Sequence, residues 1–120
     1  MDIVFISKKI TQKIEALGQA RESILSFAVQ RASAIANYDK ELAITIVKLR
    51  MGEMQEINGV LVKEASISLI EKLAKGICYN ARLRLEKAEG LYRATQTNMR
   101  ALEAELNGLQ TLNRTLSEEV

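Results

Sequence analysis

Residues 74–120 read AKGICYNARLRLEKAEGLYRATQTNMRALEAELNGLQTLNRTLSEEV. Apolar residues recur along this stretch at spacings of four and three, or their sum: Ala74, Cys78, Ala81, Leu85, Ala88, Tyr92, Met99, Leu102, Leu106, Leu109, Leu116 and Val120. The first half carries the same rhythm in Ile10, Ile14, Leu17, Ile24, Ala28, Ile35, Tyr38, Leu42 and Leu49. This is the heptad period of helices that pack along a narrow apolar seam. It predicts an all-α chain with two long helices, folded back on each other as an antiparallel helical hairpin or coiled coil, or paired with copies of themselves.

Composition agrees. The chain has 120 residues, of which 48% are apolar and only 4% aromatic, with no Trp and no Pro. That is enough for one domain with a modest aliphatic core, and nothing in it breaks a helix interior. The 17 basic and 15 acidic residues leave a net charge of +2, a mixed solvated surface and not the charge excess of a nucleic-acid binder. Cys78 is the only cysteine, so no disulfide closes within one chain, and a reducing cytoplasm is the simplest setting. The first residues, MDIVFI, place an acid where a secretory signal needs a base. The apolar run at 42–47 is far short of a membrane span, so no membrane association is expected.

The first helix is expected over about 8–51, capped by Asp2, or by Ser7 with residues 3–6 frayed or extended instead. Gly52 ends it. Asn58-Gly59 between short β-prone runs predicts a β-hairpin in the tip at 52–66, with a plain loop as the alternative. The second helix is expected over about 68–116, started by a capping box of Ser68 and Glu71. Gly76, Gly90 and Gly108 are its weak points. No internal repeat stands out, and the whole chain reads as one domain.

An amphipathic helix gains stability by packing its stripe against a partner. Ala74, Ala81 and Ala88 are small and permit close approach near the tip, with Ala28 opposite Ala88 and Gly90. Leu102, Leu106, Leu109 and Leu116 are large and imply a wider far end. A second copy is expected to cover it, most simply as a twofold dimer in a four-helix bundle. The oligomer seam is assigned to Ile24, Ala28, Ile35, Leu102, Leu106, Leu109, Asn113 and Leu116. Asn113 either fixes register there or meets water at a frayed end.

Few residues here suit catalysis. There is no His, and one Cys cannot build a zinc site within one chain. No glycine-rich phosphate loop is present, and pairs such as Glu86/Glu89 and Glu103/Glu105 read as solvated faces. No cofactor and no enzymatic activity are expected. The seam is interrupted at Arg21, Arg31 and Thr45. An arginine there snorkels to water, pairs with an acid, or holds an anionic ligand. Arg31 is expected near Glu86 or Glu89. Lys72, Lys75, Arg82 and Arg84, with Lys87, form a basic cluster around Tyr79 and Asn80, interleaved with Glu71 and Glu86. Nucleic-acid contact there is the minor reading and a solvated surface the major one. At the tip, Met54, Ile57, Val60 and Leu61 form an apolar docking point or fold over the end of the bundle. Cys78 is expected to be a small apolar packer.

Three stretches, Tyr38-Asp39-Lys40-Glu41-Leu42-Ala43, Ile57-Asn58-Gly59-Val60 and Asn107-Gly108-Leu109-Gln110, together resemble small helical proteins of unassigned role from the early regions of phages and prophages of Gram-positive bacteria. The resemblance covers residues 38–119. It implies a host-directed protein that blocks an enzyme or a defence system such as CRISPR-Cas, or one that assists phage replication or recombination. Three functions follow as expectations. The first is a non-catalytic, dimeric protein-interaction module acting in the host cytoplasm. The second is a nucleic-acid-binding accessory factor. The third is a sponge for an anionic small ligand, gripped by Arg21 or Arg31.

Overall fold

A computed structural model describes residues 2–118 apart from 54, 58 and 63–65, so Met54, Asn58 and Val120 lie outside the described residues. The element order is α1 (Ile3–Arg50), β1 (Gln55–Ile57), β2 (Val60–Val62), α2 (Ile67–Ile77) and α3 (Tyr79–Glu118). The chain is all-α apart from the two short strands. No helix among the described residues is long and apolar enough to cross a membrane. The contacts divide the chain into two compact units, Met1–Ala28 with Leu91–Val120, and Val29–Gly90.

Of the two starts the sequence offers, Asp2 and Ser7, helix α1 takes the earlier, Ile3–Arg50. Asp2 caps it, its Oδ1 accepting a hydrogen bond from the Val4 N–H at 3.2 Å. The Ile6 N–H bonds the Asp2 carbonyl at 3.1 Å, and the Ile6 side chain is wholly buried. Burial of Ile6 outweighs the β-preference of residues 3–6, so the expected fraying is replaced by a helical turn. The other end stops as expected. The Glu53 N–H bonds the Lys48 carbonyl at 3.0 Å and the Gly52 N–H bonds the Leu49 carbonyl at 3.1 Å. Those two bonds, with Gly52 at φ +76°, form a Schellman cap.

Strands β1 and β2 form the expected antiparallel hairpin, with Ile57 paired to Val60 and Gln55 to Val62. Gly59 takes φ +81° in the two-residue turn. The anticipated Ser68/Glu71 capping box does not form. Helix α2 starts at Ile67, with Ser66 at the cap position. The Ser66 carbonyl accepts from Leu69 N–H at 2.9 Å and Ile70 N–H at 3.2 Å. Ser68 therefore sits within the first turn, where its hydroxyl pairs with that of Ser66 at 3.1 Å. The single second helix of the sequence reading is also interrupted. Cys78, at φ −88° and ψ 21°, separates α2 from α3. The Cys78 N–H still bonds the Ala74 carbonyl at 2.9 Å, and the Arg82 N–H bonds the Cys78 carbonyl at 3.1 Å. The i→i−4 bonds thus run on through Cys78, and the interruption is confined to its dihedrals. It falls two residues after Gly76, where the backbone resists distortion least.

In the Val29–Gly90 unit, α1 packs on α2 and the start of α3. One cluster joins Tyr38 to Cys78, Ala81 and Leu85, with Ala34, Ile35 and Leu42 against it. The other joins Leu49 to Ile70 and Ala74, with Ile46, Leu73 and Ile77. Along α1, the partners from α2 and α3 descend in number as the α1 residues rise, so the packed segments run antiparallel within this unit. In the other unit, Ile6, Leu17 and Ala20 are buried. Ile14 is 53% exposed there, so the seam position assigned to it faces solvent.

A Cβ on Gly52 would meet nothing within 4 Å, so the cost of Gly52→Ala is the left-handed backbone alone. Urea unfolding should show a loss of about 1–2 kcal/mol with an unchanged slope.

Candidate functional site

The basic residues on α2 and α3 do not form one patch. The Lys75 ammonium lies 3.8 Å from Glu71, and the Arg82 guanidinium 2.7 Å from Glu86, each one turn along its own helix. Arg84 reaches Glu41 on α1 at 3.8 Å. Lys72 is exposed beside them. Pairs this exposed are each worth about 1 kcal/mol or less. Arg82 also stacks on Tyr38, its guanidinium carbon 5.6 Å from the ring centroid. The Glu86 carboxylate, and then the Tyr38 hydroxyl, raise the Arg82 pKa above its ordinary value.

Arg31 meets one of its two expected partners, with Nη2 3.5 Å from Glu89 Oε1. Arg21 is exposed. Thr45, which breaks the apolar rhythm of α1, is 8% exposed and lies 3.3 Å from the thiol of buried Cys78. The hydroxyl and the thiol satisfy each other inside the core. Cys78 therefore packs as a small apolar residue and also serves as a hydrogen-bond partner.

The residues assigned to an oligomer seam share one property. Ile24, Ala28, Ile35, Leu102, Leu106, Leu109, Asn113 and Leu116 are all partly buried. The large leucines are thus incompletely covered within one chain. The Asn113 Oδ1 atom is buried and finds no donor among the described residues. At the tip, β1 lies beside α2. Val60 and Leu61 are each 63% exposed. Adjacent strand residues point to opposite faces, so β2 is wet on both sides and does not cover the core. Ile57 sits in β1, opposite Val60.

The structure also shows an apolar face that the seam analysis missed. On α1, Val29, Ile44 and Val47 are 71%, 45% and 54% exposed. Ala32, Ala36 and Ala43 are exposed along the same row. The row lies on the side of α1 turned away from Tyr38, Thr45 and Leu49, because positions 36 and 38 differ by roughly 200° around a helix. The signal was present in the sequence as the spacing 29, 32, 36, 43, 47. Its alanines made it look weaker than the leucine-rich seam. A groove of about 310 Å³ lined by Tyr38, Lys75, Tyr79 and Arg82 is the second feature that spacing alone did not assemble.

Comparison with protein-family models, with curated proteins and with solved structures finds no match to this chain.

An unpaired buried amide oxygen costs about 1–3 kcal/mol. Asn113→Leu should therefore raise the unfolding free energy by about that amount in a urea titration. An unchanged or lower midpoint would overturn the reading of Asn113 Oδ1 as an unpaired buried acceptor.

Proposed function

We propose that this chain is a non-catalytic interaction module, a helical hairpin that self-associates as a twofold dimer and docks a protein partner. The observation that carries the reading is the exposed apolar row Val29, Ala32, Ala36, Ala43, Ile44 and Val47. It spans on the order of 27 Å of helix at about 1.5 Å per residue. An exposed apolar row of that length, crossed by the exposed Lys40 between Ala36 and Ala43, marks an association surface. Its alanines let a second helix come close. Exposed Lys40 lies within the row, between Ala36 and Ile44, and exposed Asp39 lies at its edge. Two rows brought together about a twofold axis parallel to α1 place Lys40 of each copy within the contact, with Asp39 of the other copy at its edge.

The resemblance to phage-encoded helical proteins supports a partner in a bacterial host, such as an enzyme or a defence nuclease complex. The wet apolar tip at Val60 and Leu61 is the docking element of that reading. A tagged chain expressed in a Gram-positive bacterium should retain a specific host protein that the Val60→Asp/Leu61→Asp variant loses. Equal capture by both variants would remove the tip from the reading.

Self-association is read by light scattering. The wild type should run at twice the chain mass of 13.4 kDa. Val29→Glu/Val47→Glu should return the mass to that of one chain with its helical circular dichroism kept. A wild type that stays at one chain mass across the micromolar range would overturn the dimer.

A further inference from the structure

The groove formed by Tyr38, Lys75, Tyr79 and Arg82 has a chemistry that self-association does not use. Tyr79 is 52% exposed, a large ring left in water at the first residue of α3. Lys75 stands one turn before it and Arg82 one turn after it, so an aromatic face is bracketed by two cations along a single helical row. The row crosses the Cys78 interruption, and Tyr38 on α1 completes the lining. Tyr38 is 6% exposed and holds Arg82 by stacking. Arg82 is therefore positioned by the core and is not a loose surface side chain.

We infer that this groove takes one nucleotide unit, with its base stacked on Tyr79 and its phosphate between Lys75 and Arg82. An exposed tyrosine beside cations is the element that single-strand binders use, because every base offers a π-face and every linkage a phosphate. A guanidinium has five N–H donors, more than one carboxylate oxygen and one phenol occupy, so Arg82 keeps donors for a phosphate while it holds Glu86. Lys75 sits a full 3.8 Å from Glu71, both groups more than half exposed, and a phosphate displaces such a contact readily. Duplex nucleic acid does not fit this chemistry, because its base faces are already stacked and leave Tyr79 nothing to cover. Tyr38 lies on the face of α1 opposite the Val29–Val47 row, so the groove stays open when that row is paired.

The test is fluorescence anisotropy with a labelled oligothymidylate at about 50 mM salt, repeated with a duplex of the same length, and calorimetry with adenosine monophosphate. The wild type should bind the single strand more tightly than the duplex. Tyr79→Ala should weaken it by about 5- to 100-fold, and Tyr79→Phe should retain it, since stacking needs the ring and not the hydroxyl. Lys75→Gln and Arg82→Gln should each lower the slope of log affinity against log salt by about one. Heat with the monophosphate identifies a free nucleotide as ligand, whereas binding of the oligomer alone identifies a nucleic-acid strand. No binding of either, equal affinity for duplex, or a Tyr79→Ala variant that binds like the wild type would overturn the inference. Tyr79 is exposed enough that its removal leaves the helix intact, which circular dichroism verifies.

Discussion

The Val29–Gly90 unit depends on the close approach that a small-residue face allows. Ala74 and Ala81 are all but fully buried, and Ala88 and Cys78 nearly so. Their short side chains let α2 and the start of α3 come near α1, and the space is filled from the α1 side by Tyr38, Leu42 and Leu49. Large residues at those alanine positions would force the helices apart and strain the packing. The cost of this arrangement is a thin core. Two helical layers can bury only one stripe of each helix. Apolar residues elsewhere on the same helices stay in water for lack of anything to cover them.

That constraint explains which parts of the structure were legible in the sequence. The seam on the second half was visible because its small and large residues keep one period, and five of its members, Ala74, Cys78, Ala81, Leu85 and Ala88, form the buried face. Gly52 was readable as a stop because only the left-handed conformation satisfies its two capping bonds. The hairpin was readable from the turn at Gly59. The interruption at Cys78 was not, because its period is unchanged and only the backbone dihedrals differ. The cap at Ser66 was misplaced by two residues because three serine and glutamate positions compete, and spacing does not rank them. Thr45 looked like a defect in the seam until Cys78 appeared beside it, since a hydroxyl and a thiol can satisfy one another only when both are placed.

Charge follows a different logic from packing. Within the near balance of 17 basic and 15 acidic residues some charges form discrete pairs: Arg31 with Glu89, Arg84 with Glu41, Arg82 with Glu86, Lys75 with Glu71, and Lys13 with Glu105. Two of these, Arg31–Glu89 and Arg84–Glu41, link α1 to α3 within the Val29–Gly90 unit, and they flank the apolar cluster around Tyr38. Such exposed pairs add little energy in water. The basic cluster that composition highlights is thereby dispersed, and what remains for a ligand is local: one ring and two cations at a single groove.

The energetics of the exposed row on α1 bear on how any self-association would behave. Val29, Ile44 and Val47 each have about half or more of their surface left to bury. At about 1.5–3 kcal/mol for full burial of such a side chain, six of them in a twofold pair supply on the order of 5–10 kcal/mol. Association itself costs on the order of 4–15 kcal/mol. The two magnitudes overlap, so the row alone supports a reversible pair and not an obligate one. The alanines between the large residues add contact without side-chain entropy to lose, which favours pairing, while Lys40 within the row opposes it unless its ammonium reaches water or Asp39 of the other copy. A pair of that strength is sensitive to concentration, and a partner helix with a better-filled face would displace it.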